Sequence, residues 1–191
     1  SEECPKQRPA RLHHAEGSDT LKDSAKAGNK AQPLNLTTDI SQTFSALVFD
    51  ATGMKDTTDL RSLYDFFHPT IKKLGGNARV LVIGQDPSTC RKPAQAASQQ
   101  ALEGFVRAVG KEIGKKGSTA NLLWMAPGAD KQLDSSLRFF LSPRSAYVSG
   151  QVARVGKGSA SPATNPVAPL SGKVALVTGA SRGIGASIAE T

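Results

Sequence analysis

The sequence predicts an α/β protein: a doubly wound parallel sheet over residues 45–155, then the first strand, loop and helix of a second unit of the same kind. Three observations carry this. Strand-like and helix-like runs alternate with short connections from residue 46 to residue 152. Runs such as 79–83 are apolar on both faces, as a parallel strand covered by helices on both sides must be. Near the end, the apolar, β-branched run 173–178 passes straight into Gly179-Ala180-Ser181-Arg182-Gly183-Ile184-Gly185, and Ala186-Ser187-Ile188-Ala189-Glu190 reads as the start of a helix.

Taken in order, residues 1–44 are a polar tail, broken by Pro5, Pro9, Gly17, Gly28 and Pro33, and are expected to be mostly disordered. A first strand covers 46–50. Asp56 or Thr57 caps a helix in which Leu60, Leu63, Phe67, Ile71 and Leu74 recur at helical spacing. Pro69 predicts a kink or break near His68, and Gly75-Gly76 the helix end. The second strand is 79–83. The longest helix, 94–115, carries an apolar stripe of Leu102, Phe105, Val106, Val109 and Ile113. A third strand covers 120–125 and is closed by Pro127-Gly128. A short helix with Leu133, Leu137, Phe140 and Leu141 stops at Ser142-Pro143, and a last strand is read over 146–152. Residues 156–169, with Pro162, Pro166 and Pro169, form a linker. The second unit begins at residue 170.

Composition narrows the function classes. The chain has 191 residues, 38% of them hydrophobic, enough for one domain with tails. No run of eighteen apolar residues exists, so no membrane span is expected, and the N-terminus lacks the charged-then-apolar pattern of a signal peptide. Cys4 and Cys90 are too few for a disulfide framework and match no metal spacing, so the cytoplasm is the expected compartment. None of His13, His14 and His68 reads as a metal ligand. The net charge of +8 raises nucleic acid as a partner, but no aromatic residues interleave with the scattered lysines, so nucleic acid is not expected. An acidic carrier protein also suits this charge.

The turn 179–185 is where the chemistry points. Glycines let a backbone approach a pyrophosphate, and free N–H groups at a helix start favour the anion. The spacing is T-G-x-x-x-G-x-G, set between a strand and a helix.

The stretch Leu170-Ser171-Gly172-Lys173-Val174-Ala175-Leu176-Val177-Thr178-Gly179-Ala180-Ser181-Arg182-Gly183-Ile184-Gly185 resembles the opening of a short-chain dehydrogenase/reductase of the 3-oxoacyl-[acyl-carrier-protein] reductase type. The resemblance implies a Rossmann unit with NADP or NAD on Gly179, Ser181, Arg182, Gly183, Ile184 and Gly185. Arg182 would meet a 2′-phosphate, which leans towards NADPH. The family's catalytic Ser and Tyr-x-x-x-Lys would lie beyond Thr191, so these residues are expected to be the N-terminal portion of an enzyme and to be inactive alone.

Residues 45–155 resemble the family a second time, through Ala101-Leu102-Glu103-Gly104-Phe105, Asn121 to Pro127-Gly128, and Ser145 to Val152. This alignment puts Gln85 at the catalytic Ser, Gln95 at the Tyr and Gln99 at the Lys. An amide has no pKa near neutrality and cannot serve as general acid or base. An inactive Rossmann/flavodoxin-like domain linked to a reductase domain is similar to the high-molecular-weight 3-oxoacyl-ACP reductases; the first 43 residues are unlike that family's usual start. The resemblance implies an acyl carrier protein or CoA thioester substrate, a role in fatty-acid metabolism, and a homo-oligomer. The homo-oligomer would be built on the two helices near 57–74 and 94–115, where Tyr64, Phe66, Ala97, Ala101 and Ala108 lie beside the core stripes. A non-catalytic oligomerisation or carrier-docking scaffold is the alternative reading. A flavin held by Thr52-Gly53-Met54-Lys55-Asp56-Thr57-Thr58 is a third.

Overall fold

The computed structural model describes residues 43–158, 168 and 170–191, together with the backbone of two strands at 10–14 and 32–33. The chain divides into two compact units, Ser1–Ser159 and Ala160–Thr191.

The first unit is built on one parallel sheet. Its strands are β1 (Ala10–His14), β2 (Gln32–Pro33), β3 (Phe44–Asp50), β4 (Leu74–Gln85), β5 (Thr119–Met125) and β6 (Val152–Val155), in the order β2-β1-β3-β4-β5-β6. The order reverses between β1 and β3, as in flavodoxin-like sheets. Helices α1 (Leu60–Thr70), α2 (Pro93–Ile113) and α3 (Leu133–Phe140) connect the strands from β3 onwards.

Strict alternation of apolar side chains explains why the sheet is wound on both faces. Leu47, Phe49, Val80, Val82, Leu122 and Trp124 pack with Leu63, Phe66 and Phe67 of α1 and Leu102 and Val106 of α2. Their sequence neighbours Val48, Leu81, Ile83, Leu123 and Met125 pack on the opposite face with Leu133, Leu137 and Phe140 of α3. Each fully buried leucine contributes about 1.5–3 kcal/mol. The aromatic centre of the first face is Phe49, with ring centroids 5.4 Å from Phe66 and 5.9 Å from Phe67.

Several sequence expectations are corrected. The polar tail supplies two strands, because a sheet edge is completed by main-chain hydrogen bonds that an unremarkable polar sequence can make; its other residues lie outside those described. Phe66 is fully buried, not beside the stripe, since α1 faces the sheet through three aromatic or leucine positions. Pro69 does not break the helix at His68. It sits in the last turn of α1, and Thr70 Oγ1 donates to Phe66 O at 2.6 Å before a 3₁₀ turn takes over at Ile71–Lys73. Gly75-Gly76 do follow the end of the helical run at Lys73, but they already lie inside β4, in an irregular stretch where Phe44 pairs with Leu74 and Ala46 with Arg79. The last strand is Val152–Val155, later than read: Ser142 caps a 3₁₀ turn at Pro143–Ser145, and Gly150, at φ +70°, redirects the chain onto β5.

In the second unit, α4 (Ile184–Glu190) forms, but residues 173–177 are not a strand. Among the described residues no strand pairs with them, and a lone strand leaves its main-chain groups and both faces to water; Val174 and Leu176 are more than nine-tenths exposed.

Candidate functional site

The carboxyl ends of the strands in the first unit gather the three glutamines that the sequence alignment singled out. Gln85 ends β4; Gln95 and Gln99 sit one turn apart on α2. Gln95 Nε2 donates to Gln85 Oε1 at 2.8 Å, and the Gln85 main-chain N–H donates to Gln99 Oε1 at 2.9 Å. Gln99 Nε2 donates to Ala51 O at 2.8 Å, tying α2 to the turn that follows β3. Gln99 is fully buried, and its amide reaches this position because residue 84 is glycine: a Cβ there would lie 2.6 Å from Gln99 Oε1 and 2.7 Å from Leu102 Cδ1. The trio is a structural brace of neutral amides, without a group that exchanges a proton near neutrality.

Beside the brace, Asp86 accepts from the Ser88 N–H at 3.0 Å and from Arg154 Nε at 2.9 Å. The Arg154 guanidinium lies 4.8 Å above the centre of the Trp124 ring. Partial burial pushes the Asp86 carboxyl up, but hydrogen bonds from Ser88 and the Arg154 charge outweigh it, and its pKa falls below the ordinary carboxylate value. Burial, and then the Asp86 charge, push the Cys90 thiol up. The sequence reading missed this group. Asp86 is a polar residue in a Pro/Ser loop, and nothing local pairs it with a residue 68 positions away.

The turn after β3 lies at the reversal of strand order, where sheets of this kind hold ligands. Several of its N–H groups are already taken. Asp50 Oδ1 accepts from the Thr52 N–H at 2.9 Å, and Asp56 Oδ1 from that of Thr58 at 2.8 Å. Asp59 Oδ2 accepts from the N–H groups of Lys55 and Asp56 at 2.6 and 3.3 Å, completing a capping box. Three carboxylates thus occupy four of the main-chain donors of this turn and give it a negative charge that an anionic phosphate would meet.

The turn 178–185 is different. Gly179 and Gly183 have φ of +68° and +67°, which side chains of L-residues rarely adopt. A Cβ on Gly185 would run into the Gly179 main-chain carbonyl, so the third glycine is required by the close fold of the loop. Among the described residues no carboxylate accepts from the N–H groups of this loop. Ser181 and Arg182 are exposed, and Arg182 is the one charged side chain between residues 178 and 185. Residues Gly179, Ser181, Arg182, Gly183, Ile184 and Gly185 therefore stand together on one turn. They fit the phosphate-bearing part of a dinucleotide; the strand expected before them is not formed.

Among the described residues no cluster of histidine, cysteine, aspartate or glutamate is able to hold a metal ion, and no helix is long and apolar enough to cross a membrane. No family model matches the sequence, and no curated protein matches it. Solved structures of similar fold include short-chain dehydrogenases. One is a short-chain dehydrogenase family protein from Francisella tularensis, 11% identical, with a TM-score of 0.56 over 78% of this chain and 98% of that one. Another is a short-chain dehydrogenase/reductase from Serratia marcescens, 17% identical, with a TM-score of 0.57 over 77% and 95%. BdcA from E. coli is 21% identical, with a TM-score of 0.56 over 77% and 84%. At these identities the likeness is one of fold: the parallel, helix-flanked sheet of short-chain dehydrogenases.

Proposed function

We propose that this chain is the N-terminal portion of an NAD(P)-dependent oxidoreductase of the short-chain type, acting on 3-oxoacyl thioesters of acyl carrier protein or CoA in fatty-acid metabolism. The observation that carries the reading is the glycine turn, whose three glycines are each required by its backbone and whose N–H groups meet no carboxylate among the described residues. The resemblance of residues 170–185 to the opening of 3-oxoacyl-ACP reductases supports the substrate class. In this reading Gly179, Gly183 and Gly185 let the backbone approach the pyrophosphate, Ser181 donates to it, and Arg182 faces the ribose phosphate of NADP. The bound nicotinamide supplies the hydride. Residues 45–155 contribute no acid or base where Gln85, Gln95 and Gln99 stand, and serve as a scaffold.

A second reading, compatible with the first, makes that scaffold an oligomerisation surface. The outward side of α2 presents Ala97, Ala101, Gly104 and Ala108, all exposed, and a Cβ on Gly104 would meet nothing within 4 Å. Small residues in this row allow a second helix to approach closely, so a two-fold dimer is expected. Phe66, being core, is no part of it. Ala101→Glu would put an unpaired charge in such an interface and shift the dimer to monomer in sedimentation; a monomeric wild type, or a dimer indifferent to the change, rejects the surface. For the reductase reading the test is acetoacetyl-CoA with NADPH or NADH. The full-length gene product is expected to oxidise the cofactor and residues 1–191 alone to leave it unchanged; an inert full-length product rejects the reading.

A further inference from the structure

The amino end of the sheet, opposite the glutamine brace, concentrates positive charge. The helices run antiparallel to the strands, so α1 and α2 both finish here, in the 3₁₀ turns Ile71–Lys73 and Gly114–Lys116. Ser118 ties the two turns into one corner: its Oγ accepts from the Ala78 N–H at 3.0 Å and donates to Gly75 O at 3.3 Å. Gly117, at φ +69°, packs so closely on the Asn77 side chain that a Cβ would overlap Asn77 Oδ1. The corner thus holds Lys72, Lys73, Lys115 and Lys116 together, and Lys111 lies one turn earlier on α2. All five are exposed, and none has an ion-pair partner among the described residues. Glu112 is the one carboxylate near them in sequence. Arg79, buried beneath, donates to the carbonyls of Asn77, Ala78 and Ser142 and adds its charge to the same end. Beside the corner, Gly110 packs on Ser149, and the 146–150 segment there carries a fully exposed Tyr147.

Lysines at helix C-termini complement the helix dipole, which accounts for one pair on each helix. It does not account for five unpaired ammonium groups converging on one corner, where each raises the energy of the others. We infer that this corner is a docking surface for an acidic segment of another protein, with the lysines meeting its carboxylates and Tyr147 its apolar side. Lysines on flexible stems around a convex corner suit carboxylates on a partner helix or peptide. A nucleic acid would call for a basic track with several interleaved stacking rings, whereas neither lysine run, 72–73 or 111–116, contains an aromatic residue, and Tyr147 and Phe139 are exposed only on other segments. The inference deepens the docking half of the scaffold reading and is independent of the reductase half, because its readout is binding, not turnover.

The test uses the whole 191-residue chain, a fluorescently labelled glutamate-rich peptide and, separately, a short DNA duplex. Lys72→Glu/Lys116→Glu is compared with Lys131→Glu/Lys157→Glu, which changes net charge equally at the other end of the sheet. The peptide is expected to bind with salt-sensitive affinity that falls at least about tenfold in the first double variant and less than about twofold in the second. Equal losses in the two variants would show general attraction and overturn the surface. Duplex binding that is tighter than peptide binding, and is lost in the first variant, would overturn the partner class. Absence of peptide binding overturns the proposal outright.

Discussion

The two turns from extended chain into helix, after β3 and after residue 177, have opposite chemistry. The first is rich in donors and closes on itself: Asp50, Asp56 and Asp59 accept from its N–H groups, leaving an acidic, self-satisfied loop. The second has no acid, two glycines at positive φ and a third that cannot carry a side chain. An anion meets charge repulsion and occupied donors at the first, and glycine backbone with one arginine at the second. Position in the fold would favour the first, since it lies at the reversal of strand order; chemistry favours the second. The proposed dinucleotide site therefore rests on the chemistry of the glycine turn and not on its place in the fold.

The units behind these turns differ as sharply, and core substitutions have the largest expected effect. Leu102→Ala, at a fully buried position on α2, is expected to cost about 2–5 kcal/mol in urea unfolding, whereas Leu176→Ala, at an exposed one, should change it by less than about 0.5 kcal/mol. Comparable costs would show that residues 173–177 are packed in solution.

The glutamine brace gives a smaller effect. Gln99→Leu removes the acceptor of the Gln85 N–H and a donor to Ala51 O, a loss of about 1–3 kcal/mol. Gln95→Leu, at a half-exposed position, should stay within about 0.5 kcal/mol. If both cost the same, the amides do not divide into one brace and one bystander.

Much of the first unit was legible because its strands alternate strictly. Leu47, Val48 and Phe49, or Val80 to Ile83, leave one choice: a strand covered on both sides. Gln85, Gln95 and Gln99 were also legible as a group, since the alignment that placed each was anchored on neighbouring motifs. Strands β1 and β2 were not, because Ala10–His14 owes its place to main-chain pairing with β3, and Gln32–Pro33 to pairing with β1, which side-chain patterns do not encode. The last strand was placed early for a related reason. The Asn121 side chain bonds to the 146–151 segment, donating to Val148 O at 2.8 Å and accepting from the Gln151 N–H at 3.2 Å, and main-chain pairing with β5 begins only at Gly150 and Gln151, so the apolar run before them remains a turn. Residues 173–177 show the converse. They have a strand's composition, and a strand is a property of a pair.

The smallest expected effect concerns Cys90. Its thiol is raised by burial and by the Asp86 charge, so Asp86→Asn removes one cause and lowers the pKa. More thiolate is then present at neutral pH, and alkylation of Cys90 in a Cys4→Ser background should quicken by roughly two- to fivefold. An unchanged or slower rate would mean that the Asp86 charge does not act on the Cys90 thiol. The Asp86 carboxyl itself is depressed, so the stability it contributes is present above the unfolded carboxylate pKa of about 4 and is lost as pH falls through its lower folded value.

The most direct measurement sets the two turns against each other in the full-length gene product, reading NADPH oxidation with acetoacetyl-CoA. Gly183→Asp strains a residue at φ +67° and places a carboxylate where the phosphates would lie; kcat/KM is expected to fall at least about a hundredfold. Asp56→Ala opens the first turn and costs about 1 kcal/mol of stability as a lost cap, and turnover should stay within about twofold of wild type. Turnover that survives Gly183→Asp, or is lost in a folded Asp56→Ala protein, would contradict the assignment of the dinucleotide to the glycine turn.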